Sequence, residues 1–230
     1  DAQRLTKFFD DLPDKPGLRR NVYAVLRRMF RWAKGRGDIT INPMADFDGP
    51  PAPASRDRWL SDTELTAMLR ASRALPSPYG PYPRLLLITG QRRNEVSDAD
   101  WKEFDRARRV WVIPGARTKN KIEHLVALSD FAISELDALA GSDTWPKRGL
   151  VFSGSRDASI AGFSKLKKKL DAAMLTALQD GDEHAELVPW RLHDLRRSAA
   201  THMQRLRIPN EHVEAVQNRL AGRSKPGAGK

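Results

Sequence analysis

Residues 86–96 read Leu86-Leu-Ile-Thr-Gly-Gln-Arg92-Arg-Asn-Glu95-Val96, and their reading decides the fold. The run Leu85-Leu-Leu-Ile88 is too apolar for a surface segment and predicts a buried helix. That helix leads into Thr89-Gly90, glycine being the residue that most readily closes a helix. Just past the stop the chain presents Arg92, with Glu95 placed to orient a neighbouring group. Asp100-Trp101-Lys-Glu-Phe-Asp105 follows. Arg109–Ile113 and Ile122–Leu128 then read as two strands joined by the polar turn Gly115–Lys121, a β-hairpin with Lys119 at its turn. Further out lies Leu192-His193-Asp-Leu-Arg196-Arg-Ser-Ala-Ala-Thr201, where His193 and Arg196, three residues apart, share one helical face. Singly none of these charged residues is informative, since a surface arginine or a lysine in a turn is ordinarily just solvated. Their order and setting carry the information.

The flanking sequence supplies a mainly helical frame. Further helices are expected at Ser129–Ala140, Ile160–Leu178, Arg191–Leu206 and Glu211–Arg219. Ser61-Asp-Thr-Glu64 is a capping box that starts a helix sharply, with Leu60 and Leu65 positioned as a hydrophobic staple. A domain begins there. Before it, Asp48–Arg58 (DGPPAPASRDR) is proline-rich and aperiodic, and reads as an extended linker. Earlier still, Gly17–Lys34 is an amphipathic helix with Val22, Val25, Leu26, Met29 and Ala33 as its expected buried face. Arg20, Arg27, Arg28, Arg31 and Lys34 fall opposite, with no acid among them. That face is either simply solvated or turned toward a polyanion, and Arg27 and Arg31 are its candidate DNA contacts. Lys165, Lys167, Lys168 and Lys169 form a second basic run, read as a solvated helix face. The tail Ala221–Lys230 is rich in Gly, Ser and Lys and is expected to be mobile. Its GRSKPGAGK resembles a phosphate loop but fails the GxxxxGK[ST] spacing.

Composition narrows the class. The 230 residues hold 40 Lys and Arg against 29 Asp and Glu, a net charge of +11 and a pI near 10.2. Residues 1–60 carry 12 basic and 8 acidic side chains, 61–150 carry 14 and 12, and 151–230 carry 14 and 9. The ends are more basic than the middle, as two lobes gripping one polyanion would be. The absence of cysteine excludes disulfides, thiolate catalysis and thiolate-bound zinc. No apolar run approaches the roughly 18 residues of a membrane span, and no signal-peptide pattern opens the sequence. The expectation is a soluble, cytoplasmic, basic protein without membrane partners. His124, His184, His193, His202 and His212 are scattered and suggest no metal, and no cofactor is implied.

With three boxes quoted, the chain resembles the tyrosine recombinases, in particular integrases of temperate phages and genomic islands. That family shows a TGxRxxE box, a TKN-like hairpin lysine and an HxLRR box about a hundred residues after the first. Here stand Thr89-Gly90-Gln-Arg92-Arg-Asn-Glu95, Thr118-Lys119-Asn120 and His193-Asp-Leu-Arg196-Arg197, in the same order and setting. The resemblance implies a mainly α fold with a small antiparallel β-sheet, the DNA breaking-rejoining catalytic domain. It implies residues 1–47 as the C-terminal part of a helical, SAM-like core-binding domain, 48–58 as the linker and 59–230 as the catalytic domain without its extreme C-terminus. It also predicts an LNH-like box, met here by Val216-Gln217-Asn218-Arg219, with Arg219 where the family usually has histidine. About a dozen residues later comes the nucleophilic tyrosine, expected just after Lys230. Tyr23, Tyr79 and Tyr82 lie far upstream and read as packing or turn residues.

The implied function is site-specific recombination, the integration or excision of a phage or genomic island through a 3′-phosphotyrosyl intermediate. Attack on a phosphodiester gathers negative charge on the non-bridging oxygens, which the planar forks of Arg92 and Arg196 are suited to clamp. Such preorganised donors are worth about 2–4 kcal/mol each. By the resemblance Lys119 is the acid for the leaving 5′-oxygen, His193 assists the tyrosine hydroxyl, Arg219 donates to phosphate, and Glu95 supports the cluster. Lys121 and Arg197 join Arg27 and Arg31 as DNA contacts. Arg92, Lys119, His193 and Arg196 are expected to converge on one basic, solvent-open cleft. The implied partners are double-stranded attachment-site DNA, other protomers in a tetrameric synapse, and accessory DNA-bending or excision factors. Ending at Lys230, the chain is expected to bind DNA without cleaving it. Two other readings stay open: a type IB topoisomerase-like enzyme, which shares the residue types, and a non-catalytic DNA-binding relative, favoured by Gln217 and Arg219.

Overall fold

The structure is a computed structural model that describes residues 2–52, 54, 56–153 and 158–219, so the expected mobile tail Ala221–Lys230 lies outside the described residues. The chain divides into two compact units, residues 1–57 and 58–230.

In the first unit a short helix, α1 (Ala2–Asp10), precedes the long α2 (Pro16–Arg36). Pro16 starts α2 without needing an amide partner, and Gly37 in the left-handed region closes it. Phe9 of α1, Tyr23 of α2 and Phe47 form an aromatic knot, with the Phe9 and Phe47 ring centroids 5.0 Å apart. The Tyr23 hydroxyl donates to the Phe47 carbonyl at 3.1 Å. The knot fixes which side of α2 is covered, and it is not wholly the expected one. Val22, Leu26, Phe30 and Ala33 are half-buried, whereas Val25 is 66% and Met29 46% exposed. Periodicity allowed this error because α2 is apolar around more than one stripe, and α1, which carried no clear signal, selects the Tyr23 side.

In the second unit the capping box forms as the sequence predicts. Glu64 N donates to Ser61 Oγ and Ser61 N to Glu64 Oε2, starting α3 (Asp62–Arg73). Leu60 is fully buried and Leu65 packs against the same core. The predicted buried helix is α4 (Pro81–Thr89), followed by a short α5 (Arg93–Ser97) that the sequence had not announced. A three-stranded antiparallel sheet comes next, β1 (Phe104–Asp105), β2 (Val110–Ile113) and β3 (His124–Ala127), in that spatial order. The two residues of β1 are too short to leave a pattern of alternation. Phe104 stacks on Trp111 at 5.1 Å, and Ile113 pairs with His124. Alternation along β3 turns His124 and Val126 inward and Leu125 and Ala127 outward.

Helices α6 (Asp130–Ala140), α7 (Phe163–Gln179), α8 (Leu192–Arg205) and α9 (Asn210–Val216) complete the fold. α9 stops three residues short of the expected end. α3 lies along α7, and α4 packs against α3, α6 and α8. Tyr82, Leu85 and Leu86 are thereby buried, each worth about 1.5–3 kcal/mol in apolar area removed from water. α4 also buries Arg84. Its Nε and Nη2 donate to the two carboxylate oxygens of Glu135 at 2.8 and 2.6 Å, and Nη1 reaches Ser72 Oγ at 3.3 Å, tying α6 and α3 to α4.

Arg84→Ala strands the Glu135 carboxylate in a nearly dry site. The expected loss is about 3–5 kcal/mol in urea unfolding. A loss below about 1 kcal/mol, typical of solvated pairs, would show that the pair does not brace the helices.

Candidate active site

Gly90, the left-handed cap of α4 at φ 62°, turns the chain so that Arg92 becomes the N-cap of α5. Glu95 closes this corner: its Oε2 accepts from Arg92 N at 2.9 Å and its Oε1 from Arg92 Nη1 at 2.8 Å. Glu95 is buried, while the Arg92 side chain keeps 29% of its surface exposed. The expected orienting role of Glu95 therefore has a geometric basis, and its target is Arg92 itself.

At the start of α8, Asp194 Oδ2 accepts from Arg191 N at 2.8 Å, which ends the extended approach and begins the helix. His193 is exposed and Arg196 is 4% exposed. The two share a helical face, yet Arg196 does not stand on a solvent-open wall. It lies inside the domain, with Nη1 donating to the Gly90 carbonyl at 2.7 Å and Nη2 to the Gln217 carbonyl. Gln217 Nε2 returns a bond to the Arg196 carbonyl at 2.6 Å.

Residues 216–218, the last residue of α9 and the two that follow it, are held from several sides. The Val216 carbonyl accepts from Gln91 Nε2 at 2.7 Å and contacts His124 Nε2 at 3.1 Å. Asn218, in the left-handed region at φ 48°, exchanges side-chain amide bonds with Asn120: Asn120 Nδ2 donates to Asn218 Oδ1 at 2.7 Å, and Asn218 Nδ2 to Asn120 Oδ1 at 3.4 Å. Lys119 stands next to that pair, exposed, with no bonded partner among the described residues. The turn that carries it is built tightly. A Cβ on Gly115 would lie 2.7 Å from the Lys121 carbonyl, and Thr118 Oγ1 bonds the Ile122 carbonyl at 2.8 Å. Arg117 anchors the base of the turn on Glu103 and on the Glu95 carbonyl.

The electrostatics follow from this crowding. Burial, then the Arg92 charge, lowers the Arg196 guanidinium to about 10; Arg219 adds to the effect and Glu95 opposes it. It remains protonated at neutral pH. Loss of water around the His193 ring, then Arg196 and Arg197, lowers its pKa below the ordinary histidine value. Burial likewise lowers His124, against the bond to Val216. Both rings are neutral at pH 7.

Arg92 and His193 line one open cleft of about 660 Å³ with Arg93, Phe163, Lys167 and Trp190, whereas Lys119 and Arg196 are not on its wall. Lys167 of the second basic run is paired with Asp171 and lies 4.2 Å over the Trp190 ring, so it is not simply solvated. Arg197 donates to Asp194 at 3.0 Å, Lys121 Nζ reaches only the Ala116 carbonyl at 3.4 Å, and Arg219 is exposed. In the first unit, Arg27 and Arg31 line an open basic groove on α2 with Arg20 and Arg28, and Arg27 Nη1 donates to Tyr23 Oη at 3.0 Å. Among the described residues no three His, Asp or Glu gather as metal ligands. The tyrosines pack as predicted: Tyr82 is buried with its hydroxyl on the Arg93 carbonyl, Tyr79 borders the core, and Tyr23 belongs to the aromatic knot. Burial pushes the Tyr82 phenol well above its usual range.

Sequence reasoning had passed over His124, Gln91, Gln217 and Asn218 as site members. Gln91, Gln217 and Asn218, like Asn120, each stood inside one of the boxes, the one available signal, whereas His124 lay outside all of them. The model of the phage integrase family matches residues 58–220. This chain belongs to that family.

Prophage integrase IntF of Escherichia coli (strain K12) is 27% identical to this integrase-family chain over 217 residues, covering 88% of the chain and 43% of its own length. The chain thus spans less than half of that relative. Among solved structures, a lambda integrase dimer bound to a COC′ core site matches with a TM-score of 0.66 at 16% identity, covering 96% of this chain and 61% of that one. The Tn1549 transposon integrase in complex with circular intermediate DNA matches at 0.66 and 13%, covering 96% and 75%. At such identities the likeness is one of fold, the integrase fold. No described helix is long and apolar enough to cross a membrane.

Because His124 and His193 are lowered in the folded state, the unfolded chain binds more protons below the ordinary histidine value of 6.5. Their stabilising contribution is full above that value and is lost as pH falls through it. Urea midpoints should therefore decline between pH 7 and 5, with a shallower decline in His124→Gln. An unchanged slope in that variant would show that His124 is not the responsible group.

Proposed function

We propose that this chain carries the DNA-strand-transfer site of a site-specific tyrosine recombinase that integrates or excises a phage or genomic island. The observation that carries the reading is the buried guanidinium of Arg196, bonded to the Gly90 and Gln217 carbonyls and reached by the charges of Arg92 and Arg219, with Glu95 as the carboxylate among them. Fixed cations gathered around a buried guanidinium call for an anion, and a phosphodiester in DNA supplies it. The lambda integrase tetramer bound to a Holliday junction, a match of fold, supports double-stranded DNA and other protomers as partners. Residues 1–47 are then a core-binding fragment, with Arg27 and Arg31 toward DNA, and residues from 59 the catalytic domain. Arg197 and Lys121 are further backbone contacts.

In the proposed reaction a tyrosine oxygen attacks phosphorus, forming the 3′-phosphotyrosyl bond as the bond to the 5′-oxygen breaks. Arg92 and Arg196 hold the non-bridging oxygens. Arg196 has five donors, of which two point to carbonyls, so three remain. Lys119 transfers its proton to the leaving 5′-oxygen, and His193, neutral at pH 7, accepts the tyrosine proton. Arg219 adds charge near the phosphate and cannot serve as a base. The fixed guanidinium groups supply the charge stabilisation, so the scheme is metal-free. Tyr82 is buried, and Tyr23 and Tyr79 are engaged in packing, so the nucleophile is assigned to a tyrosine following residue 230.

A suicide DNA substrate tests this. Residues 1–230 should bind it without a covalent adduct, and a chain extended through the next tyrosine should form one. Replacing that tyrosine by Phe should abolish the adduct, and Arg92→Ala should slow its formation about 100- to 1000-fold. A covalent adduct on residues 1–230 alone would overturn the nucleophile assignment.

A further inference from the structure

The amide pair Asn120–Asn218 joins the tip of the Lys119 hairpin to the segment that receives Arg196. On one side Asn120 follows Lys119 directly, and its Oδ1 also accepts from Ile122 N at 3.3 Å, which ties its side chain to its own turn. On the other, Asn218 follows Gln217, whose carbonyl and side chain both bond Arg196. Asn218 is 9% exposed and sits in the left-handed conformation that asparagine tolerates better than most residues. An unbroken chain of contacts thus runs from the Arg196 guanidinium through Gln217 and Asn218 to Asn120 and Lys119. Lys119 has no bonded partner of its own among the described residues, so nothing local fixes its ammonium.

We propose that Asn120 and Asn218 form a latch that docks the hairpin tip on the 216–218 segment and so sets the position of the Lys119 ammonium relative to Arg196. They are positioning residues, acting through Lys119. The pair suits this work because two amides are each donor and acceptor, so docking fixes orientation as well as distance. Because the pair is uncharged, the docked state is insensitive to pH and weakly sensitive to salt, unlike a charged contact among these arginines. One neutral pair is also modest in strength, so the tip can be released when DNA enters or product leaves.

This inference rests on the reading of Lys119 as the acid, and the test separates the two. In the chain extended through its nucleophile, Asn120→Ala, Asn218→Ala and the double variant are compared on two suicide substrates. One has the ordinary 5′-oxygen leaving group and the other a 5′-bridging sulfur, which leaves as a thiolate and needs no proton. On the oxygen substrate each single variant should slow cleavage about fivefold, the loss of one net hydrogen bond. The double variant should be no slower than either single one, because both remove the same contact. On the sulfur substrate all three, like Lys119→Ala, should match the parent, while Arg92→Ala should stay slow. Equal slowing on both substrates would overturn the latch, since the residues would then act on the fold or the phosphate. Rescue of Lys119→Ala without rescue of the asparagine variants would remove the latch alone. Failure to rescue Lys119→Ala would remove the acid reading and the positioning claim with it. Amide hydrogen exchange on residues 1–230 checks docking without catalysis. Exchange across residues 117–122 should quicken in Asn218→Ala, and an unchanged rate would overturn the latch.

Discussion

A buried guanidinium is the constraint on which the second unit is arranged. Arg196 keeps 4% of its surface, and a cation so enclosed is tolerable only if nearby acceptors replace its lost water. The acceptors are the carbonyls of Gly90 and Gln217, and both lie just beyond helix C-termini, those of α4 and α9. Helix ends carry carbonyls without intrahelical partners and the negative pole of the macrodipole, so they suit a cation twice over. Three elements distant in sequence, the end of α4, the middle of α8 and the end of α9, are fixed to one side chain. Gly90 takes part through its left-handed backbone at φ 62°, not through its size, since a Cβ there would meet the Gln217 side chain at an ordinary 3.5 Å.

The apolar run before Gly90, the capping box at Ser61 and the alternation of the strands are local signals, and the elements they announce are present with boundaries within a few residues. α1, α5 and β1 are short or weakly patterned and left no such mark. For α2 the pattern was real but ambiguous: it admitted two apolar stripes, and the contacts of Phe9 and Phe47, which no periodicity encodes, chose between them. In the candidate site the boxes pointed to the charged residues but not to the polar residues between them. The bonds from Asn120 to Asn218 and from Gln91 to Val216 each join residues about a hundred positions apart or more, and spacing within a box is silent about such pairs. His124 was set aside as one of five scattered histidines. Its inward place follows from the pairing of β3 with β2, a tertiary fact.

Departures from the family pattern are instructive in this light. Gln217 and Arg219 both argued for a relative without catalysis. Gln217, however, is fully buried and exchanges bonds with Arg196, so the departure places a polar side chain against Arg196. Arg219 is exposed and lowers both Arg196 and His193 through its charge. Where the family usually has a group that can lose its proton, this chain keeps a permanent cation. The consequence is more fixed charge near Arg196 and His193.

That charge sets how the site responds to an anion. Arg92 and Arg219 both act on the Arg196 guanidinium through their charge, and Glu95, itself engaged by Arg92, opposes them. On the proposed function, a phosphate held among them would add an attraction to each guanidinium at once, which offsets their mutual repulsion without removing it. Binding to the folded state alone also stabilises that state by mass action. Among these groups it is Arg196 whose bonds to the Gly90 and Gln217 carbonyls join α4, α8 and the 216–218 segment, so on that proposal an anion bound there would consolidate the domain as well as the site.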